Sequence, residues 1–209
     1  MISLGFYERV TNSHVYFLKG PLSQWWPSEF MATSAISSVV AMADPDKIRK
    51  SYPEIFTYKN CEQYMMHNKA MIMGDFESHV KILAESNPKA VKELGRNIRN
   101  FNQQLWDKLK ILVVAQGNYQ KFLQNKELYS YLMSTSRRTL VEASPYDNIW
   151  GVGISQESDR ILSEGNWTGK NLLGKCLMDV RDRYKSKEYM EEMLTCIKEA
   201  KIIYAESKS

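Results

Sequence analysis

The middle of the chain, from residue 61 to about residue 134, most constrains the fold because its pattern is helical almost throughout. Residues 61–73 contain no proline or glycine and are rich in methionine and alanine, which favours a helix that begins there. Asn60 is a good N-cap residue, and Gln63 follows it by three positions, as in a variant of the capping box. A chain with this middle part is expected to fold mainly as α-helices.

Further helical stretches follow this first helix. Asp75 and Asn87 are placed to cap two of them, and the second opens on a proline, which suits the first position of a helix. Residues 102–116 predict another helix, which we expect Gly117 to stop. Residues 118–134 continue as one or two helices, because Tyr, Phe and Leu recur there at helical spacing.

The rest of the chain is irregular or shows short strand patterns. Residues 14–18 (HVYFL) predict a strand, and residues 19–30 follow as a loop broken by glycine and proline. Residues 34–60 separate this loop from the first helix and have room for a short helix. Residues 137–154 predict a short strand, a turn-rich loop and a second short strand, and residues 171–205 predict a solvated helix packed on one side. The predicted fold class is therefore mainly α with a few short β-strands.

Composition and charge bound the class of protein without choosing it. At 209 residues the chain fits one domain, so we expect residues 1–209 to form a single one. The net charge of +4 mildly favours anionic ligands such as phosphates, but it falls short of the basic face of a dedicated DNA-binding protein. Cys61, Cys176 and Cys196 are odd in number and widely spaced, which favours a reducing compartment over a disulfide framework. With no signal-peptide pattern and no apolar run of about 18 residues, we expect a cytoplasmic protein without a membrane partner.

Several familiar chemistries lack their residues in this sequence. His14, His67 and His79 lie apart, without partners at metal-ligand spacing, so we expect no metal site. There is no GxxxxGK(S/T) phosphate loop and no GxSxG elbow, and the GVG of residues 151–153 is too short for a dinucleotide fingerprint. We therefore expect no cofactor. What remains is a set of glutamate, aspartate, lysine and tryptophan residues in apolar segments, which suits acid–base work on a flat ligand.

One face of the first helix raises the question of function. Glu62, Met66 and Lys69 are spaced at i, i+4 and i+7, which places them on one face. In one interpretation the two charged residues are partly exposed and flank the core. In the other, the helix brings a reactive carboxylate and an amine into a pocket. Spacing alone favours the first interpretation.

Six blocks, in order along the chain, resemble one known family: GPLSQWWPSEF, CEQYMMHNKAMIMGD, KELGRNIRNFNQQLW, KFLQN, LVEASPYDNIWGVG and WTGKNLLGKCLMDVR. The series resembles the NADAR family of YbiA-like N-glycosidases from about residue 16 to residue 183. The resemblance implies a compact, mainly α-helical fold that hydrolyses N-glycosidic bonds to ribose-phosphate-containing groups. Activities in that family include cleavage of ribosylamino-pyrimidine phosphate intermediates of riboflavin synthesis and removal of ADP-ribose from modified guanine in nucleic acid.

The resemblance also implies which residues form the site. The family's catalytic positions fall on Glu62, Lys69, Trp106 and Asp147. Substrate-binding positions are expected at Ser23, Trp25, Trp26, Gly95, Arg96, Trp150 and Gly151. The sequence departs from the family pattern in a longer segment before the first helix and at residues 23–26, which read Ser-Gln-Trp-Trp instead of Ser-Asn-Phe-Tyr. Substrate identity is therefore the part of the inference that the resemblance supports least.

Cleavage of a ribosyl C–N bond needs an acid together with a base or a charge stabiliser. Positive charge develops at the anomeric carbon, and the departing amine needs a proton. Glu62 lies at a helix N-terminus, where the dipole lowers the pKa of a carboxyl group, so we expect it to be the base or the charge stabiliser. Asp147 lies just ahead of Trp150, whose apolar ring suits a carboxyl group that keeps its proton, so it is the expected general acid. The reverse assignment stays open.

The other predicted site residues each have two interpretations. Lys69 could capture the opened ribose as a Schiff base, or bind a phosphate as a point charge. Trp106 could stack on a base or sugar, or pack in the core. Arg96 could bind a phosphate or form a surface salt bridge. We expect one of Trp25 and Trp26 to face the ligand.

Two classes of function remain at this point. The first is a hydrolase acting on N-ribosyl or N-ADP-ribosyl bonds of a nucleotide-like substrate, either ADP-ribose or a ribose phosphate. The second is a non-catalytic module that binds ADP-ribose or a related nucleotide. Paired acids favour the hydrolase, because a pure binding module has no need for them. The modest net charge does not decide between a small metabolite and ADP-ribosylated DNA or RNA as the partner.

Overall fold

Helices make up about half of residues 3–33 and 55–183, the part of the chain that the computed structural model describes. Six α-helices lie in this part: α1 Cys61–Ile72, α2 Phe76–Ala84, α3 Pro88–Arg96, α4 Gln103–Gln124, α5 Lys126–Ser134 and α6 Leu172–Arg183. Two short 3₁₀ helices, Asp159–Leu162 and Glu164–Asn166, lie in the loop before α6. The prediction of a mainly α fold is confirmed.

The strands are short and form two small sheets. In the first sheet, β1 (Arg9–Val10) pairs antiparallel with β2 (His14–Phe17), which pairs in parallel with β5 (Thr139–Glu142). The second sheet is an antiparallel pair of β3 (Phe30–Thr33) and β4 (Ile55–Tyr58). The parallel pairing of β2 with β5 brings the residues before and after the first five helices together, because α1 to α5 all lie between these two strands in sequence.

The predicted helix caps are confirmed by their hydrogen bonds. The Asn60 side chain accepts a hydrogen bond from the backbone N–H of Gln63 at 2.9 Å. The side chains of Asp75 and Asn87 do the same at the starts of α2 and α3. The Gln63 side chain departs from the capping-box pattern, because it accepts from the N–H of Lys59, one residue before the cap. Local sequence is enough to set these three helix starts.

The predicted stop at Gly117 is wrong. Helix α4 continues through this residue to Gln124, so residues 102–134 form two helices instead of three segments broken by the glycine. Gly117 lies against the ring of Tyr64 on α1, and a Cβ atom there would approach Tyr64 Cδ1 to 2.5 Å. The glycine therefore allows close packing of α4 on α1, and the contacts of the buried interface outweigh its poor helix propensity.

The second strand predicted within residues 137–154 is also absent from the described chain. After β5 the backbone forms a loop, and the N–H of Val152 makes a single bond of 3.0 Å to the carbonyl of Glu142. Residues 34–54 and 184–205, on which parts of two other predictions fall, lie outside the described residues.

Helix α1 is the centre of the fold, because α2, α3 and α4 all pack against it. The approach of α3 depends on Gly95, where a Cβ atom would overlap the side chain of Met66. Helix α6 packs on both α4 and β5, which closes the other side of the core. This arrangement leaves the N-terminal half of α1 facing the loops that follow β2 and β5.

Candidate active site

A cavity of about 870 Å³ lies where α1, α3 and α4 meet the loops after β2 and β5. It is lined by nine of the predicted site residues: Glu62, Lys69, Trp106, Asp147, Ser23, Trp25, Trp26, Arg96 and Trp150. These residues come from five separate segments of the chain. The fold thus brings together side chains up to 127 positions apart in sequence, from Ser23 to Trp150.

Glu62, the second residue of α1, is held at the cavity wall with its side chain only 5% exposed. Its backbone N–H donates to the carbonyl of Gln24 at 3.1 Å. Within the described chain its Oε1 atom has no hydrogen-bond partner. Burial raises the pKa of Glu62 to about 7, and the positive charge of Lys92 opposes that rise.

The predicted lowering of the Glu62 pKa by the helix dipole is wrong. A dipole contributes about 0.3–1 kcal/mol at a helix end, whereas one pKa unit corresponds to about 1.4 kcal/mol. The loss of water around a nearly buried carboxyl group outweighs that contribution, so the proton is held more tightly. Glu62 therefore changes its charge near neutral pH.

Lys69 lies two turns along α1 from Glu62 and points into the same cavity. Its Nζ atom donates to the carbonyl of Gly95 at 2.7 Å and lies 4.4 Å from the centre of the Phe101 ring. Partial burial lowers the pKa of Lys69, and the nearby Glu62 carboxylate opposes this effect. The amine is thus more easily deprotonated than that of a surface lysine.

Tryptophan side chains form much of the apolar wall. Trp106 is 6% exposed and belongs to the hydrophobic core while also lining the cavity, so both interpretations of it describe the same residue. Trp25 is 40% exposed and has the Nζ atom of Lys92 5.9 Å from its ring centre. Trp26 packs edge-on against Tyr7 at 5.3 Å. Both Trp25 and Trp26 line the cavity.

Asp147 lies in the turn that carries Trp150 to the cavity. Its Oδ1 atom accepts hydrogen bonds from the backbone N–H groups of Ile149, at 2.9 Å, and of Trp150, at 2.8 Å. The two bonds fix the carboxylate and the turn together. Arg96, on the α3 side, forms an exposed ion pair of 3.2 Å with Glu93 while also lining the cavity.

The two predicted glycines lie behind the cavity wall. Gly95 supplies the carbonyl that accepts from Lys69. Gly151 packs tightly against the turn, where a Cβ atom would lie 2.9 Å from the carbonyl oxygens of Asp147 and Glu142. Both residues shape the site through the backbone, and neither is among the lining residues.

Sequence reasoning missed three charged residues of the cavity, Lys19, Lys92 and Glu142. Lys92 stands one helical turn before Arg96, so its spacing on α3 was a usable signal. Glu142 ends the apolar strand β5 and is 9% exposed, with its Oε2 atom lacking a partner among the described residues. Burial, reinforced by the charge of Asp147, raises the pKa of Glu142 well above its usual value.

The KFLQN motif (residues 121–125) forms a tether that holds the tryptophan loop, residues 20–29, on α4. The buried Lys121 donates from Nζ to the carbonyls of Pro21, at 2.7 Å, and Ser23, at 2.9 Å. Burial lowers the pKa of Lys121 to about 8. Asn125 Nδ2 donates to Glu29 O (3.2 Å), and Gln124 extends the tether to Met31 in β3, where Nε2 donates to the carbonyl (2.6 Å) and Oε1 accepts from the N–H (2.9 Å).

Residues 3–33 and 55–183 contain no group of three histidine, cysteine or acidic side chains placed to hold a metal ion. None of the helices in those ranges combines the length and the apolar character that a membrane span requires.

Comparison with known proteins gives the family. The NADAR domain model matches residues 6–185, so the chain belongs to the NADAR domain family. It is 46% identical over 129 residues to N-glycosidase R617 of Acanthamoeba polyphaga mimivirus, covering 62% of this chain and 76% of that one. It is 35% identical over 178 residues to Protein irg-1 of Caenorhabditis elegans, covering 82% and 81%.

The fold has a solved counterpart. The NMR structure of the E. coli protein YbiA matches 91% of this chain and 93% of its own with a TM-score of 0.59, at 22% sequence identity. At that identity the likeness concerns the fold. The prediction of a NADAR-family, YbiA-like helical fold is confirmed.

Proposed function

We propose that the protein is an N-glycosidase, a hydrolase that cleaves the bond between a ribose and a nitrogen atom of a nucleotide-like substrate. Membership of the NADAR family and the N-glycosidase names of several relatives support the reaction class. The observation that carries the proposal is Glu62, a buried residue that lines a cavity large enough for a nucleotide and has one carboxyl oxygen without a hydrogen-bond partner among the described residues. Such a group stays ready for a ligand or a water molecule.

The pKa of Glu62 suits the chemistry at the anomeric carbon. With a pKa of about 7, Glu62 is ionised in a large fraction of molecules at neutral pH. The ionised carboxylate accepts a proton from the attacking water, or stabilises the positive charge that develops on the sugar. Breaking the bond also needs a proton donor for the nitrogen, and the cavity offers two more carboxyl groups, Asp147 and Glu142.

Charge and shape around the cavity favour a flat ligand that bears phosphate. The basic lining residues are Lys19, Lys69, Lys92 and Arg96. Trp25, Trp106 and Trp150 supply aromatic surface, and stacking of a base on such a ring contributes about 1–3 kcal/mol. We propose two substrates of this kind: an ADP-ribosyl group on guanine in nucleic acid, or a ribosylamino-pyrimidine phosphate.

Lys69 supports two roles in this mechanism. Its lowered pKa favours a nucleophilic amine, which could form an imine with the opened ribose that water then hydrolyses. Its bond to Gly95 and its place near two aromatic rings also suit a fixed positive charge for a phosphate. Borohydride reduction during turnover separates the roles, because only the imine leaves a covalent adduct on Lys69. If Lys69→Arg keeps full activity and no adduct forms in wild type, Lys69 acts only as a positive charge that binds a phosphate.

The decisive experiment compares wild type with Glu62→Gln on both substrates. We expect wild type to release ADP-ribose from guanine-ADP-ribosylated DNA or to cleave the pyrimidine phosphate, and Glu62→Gln to do neither. Glu164→Gln, an exposed change outside the cavity, is the matched control and should keep full activity. A nucleic-acid substrate further predicts binding that weakens steeply with salt.

The same experiment tests the alternative of a non-catalytic module. Isothermal titration with ADP-ribose, run beside the turnover assays, distinguishes binding from cleavage. Tight binding of ADP-ribose by wild type with no turnover of either substrate would contradict the N-glycosidase and favour the binding module.

A further inference from the structure

Glu142 is a third carboxyl group of the cavity, and its backbone is fixed from two sides. Its N–H donates to the side chain of Asn171 at 3.0 Å, and its carbonyl accepts from the N–H of Val152 at 3.0 Å. These bonds hold the last residue of β5 in place, so the side chain enters the cavity from a rigid element. The carboxyl group itself takes part in neither bond.

The surroundings of this carboxyl group disfavour a negative charge. It is nearly buried, and the charged groups that face it are Asp147, Glu62 and Lys92. Two of these three are acids, which repel a further negative charge in the same cavity. Burial therefore keeps the proton on Glu142, and the pKa of this group lies well above its usual value.

A buried carboxyl oxygen without a partner destabilises a fold unless another group uses it. Leaving such a group unsatisfied costs about 1–3 kcal/mol. Within the described chain, Glu142 Oε2 has no partner, and Glu142 lines the same cavity as Glu62, whose Oε1 atom also lacks one. Asp147 differs from both, because its Oδ1 atom already accepts two backbone N–H groups. Burial thus favours the protonated form of Glu142, which also has an oxygen without a partner, whereas Asp147 Oδ1 already accepts two hydrogen bonds.

We propose that Glu142 is the catalytic acid that protonates the departing nitrogen, with Glu62 as its partner base. The inference rests on the proposed N-glycosidase function and names the proton donor of that same site. The C1′–N bond breaks, its electron pair goes to the nitrogen, and the Glu142 carboxyl proton is transferred there. Water adds its oxygen to C1′ and gives one proton to the Glu62 carboxylate. Glu62 then loses this proton to solvent, and Glu142 takes one up.

The pH profile of kcat/KM tests this assignment. Wild type should show a bell-shaped profile, in which activity rises as Glu62 loses its proton and falls as Glu142 loses its own. Glu142→Gln should lower kcat by about 10²–10⁴-fold and remove the basic limb while it keeps the acidic one. Glu142→Asp should keep a basic limb at reduced activity. Asp147→Asn, which leaves the proposed donor in place, should keep both limbs.

Three outcomes would overturn the assignment while wild type still turns over substrate. One is a Glu142→Gln enzyme that keeps both limbs. Another is a drop that is equal at every pH, which indicates a structural role. The third is loss of the basic limb in Asp147→Asn instead. A wild type without turnover would refute the proposed function, and with it the catalytic role of Glu142.

A measurement without substrate checks the protonation state directly. Carbon-13 NMR of carboxyl-labelled glutamate in the wild-type protein follows each group through its titration, and the resonance missing from Glu142→Gln identifies Glu142. We expect it to stay protonated at pH values where Glu62 has ionised. Titration of Glu142 below Glu62 would overturn the inference whatever the turnover assays show.

Discussion

Buried polar side chains on the two sides of helix α1 differ in their hydrogen bonding. Away from the cavity, the Gln63 side chain donates to the carbonyls of Ile82, Leu83 and Glu85, at 3.1, 3.2 and 2.7 Å. On the cavity side, Glu62, the adjacent residue in sequence, keeps an oxygen without a partner among the described residues. Satisfied polar groups fix the structure, and an unsatisfied one that faces a cavity is available to a ligand.

The histidine cluster, His67 with Tyr58 and His79, is a second group of buried polar side chains that have hydrogen-bond partners. The fully buried His67 ring bonds to the hydroxyl of Tyr58 at 2.8 Å and to His79 Nδ1 at 2.6 Å. Burial, together with the charge of His79, lowers the pKa of His67 to about 3, so the ring is neutral at physiological pH. His67 on α1 is thus a structural residue, whereas Glu62 on the same helix is the one we propose for catalysis.

Of the substitutions on the two sides of α1, Glu62→Gln should have the largest effect. We expect turnover to fall by about 10²–10⁴-fold, because the base is lost, without loss of stability. Glu62 deprotonates near pH 4.5 when unfolded and near pH 7 when folded, so wild-type stability should fall as pH rises across that window and then level off. At pH 8 the ionisation of Glu62 lowers the free energy of unfolding of wild type by at most about 3 kcal/mol, and Glu62→Gln should not show this loss.

Urea denaturation at pH 5 and pH 8 measures this effect, beside kcat at both pH values. A variant that is less stable than wild type at pH 8 would show that Glu62 is structural and that the contrast between the two sides is wrong.

Trp106→Phe should weaken ligand binding while the core stays filled. The smaller ring keeps the apolar packing but loses stacking area, so we expect KM to rise about tenfold with kcat nearly unchanged. Steady-state kinetics and thermal denaturation check this together. An unchanged KM with a lower melting temperature would make Trp106 a core residue only.

His67→Phe should have the opposite outcome to Glu62→Gln. It removes two buried hydrogen bonds but keeps an aromatic ring in the space beside Phe56, so we expect a loss of about 2 kcal/mol of stability. Catalytic efficiency should stay within about threefold of wild type. Urea denaturation and kcat/KM test both parts, and a large kinetic loss in a stable variant would place His67 in the site.

Lys92→Gln should produce the smallest effect. Lys92 lowers the pKa of Glu62, so its removal should raise that pKa and move the acidic limb of the pH profile upward by less than about one pH unit. Lys89→Gln, an exposed change on the same helix, is the matched control. A shift in the opposite direction, or an equal one in the control, would contradict the assignment of this limb to Glu62.

The outcome of the sequence predictions follows the range of the interactions involved. The caps at Asn60, Asp75 and Asn87 are local, and they were predictable because donor and acceptor lie within three residues. Gly117 was misread because its neighbour, Tyr64, lies on another helix. A single sequence does not show that contact.

The candidate site likewise has features that the sequence predicts and features that depend on the assembled fold. The resemblance named nine of the lining residues, but the shift of the Glu62 pKa depends on how completely the folded chain removes water from it. Glu142 was missed because a glutamate after an apolar strand reads as a surface residue until β5 is placed beside β2 and under α6. Burial is a property of the assembled fold.

The tether of the tryptophan loop has a consequence for how substrate range can change. Lys121, Gln124 and Asn125 bind backbone groups of the segment they hold, and Trp25 and Trp26 take part in none of these bonds. Exchange of these side chains would therefore keep the tether, although a change at Trp25 would remove its side-chain hydrogen bond to Glu62. The departure from the family pattern at residues 23–26 fits this freedom. Substitutions in this wall can therefore change which ligand it accepts while the tether to α4 is kept.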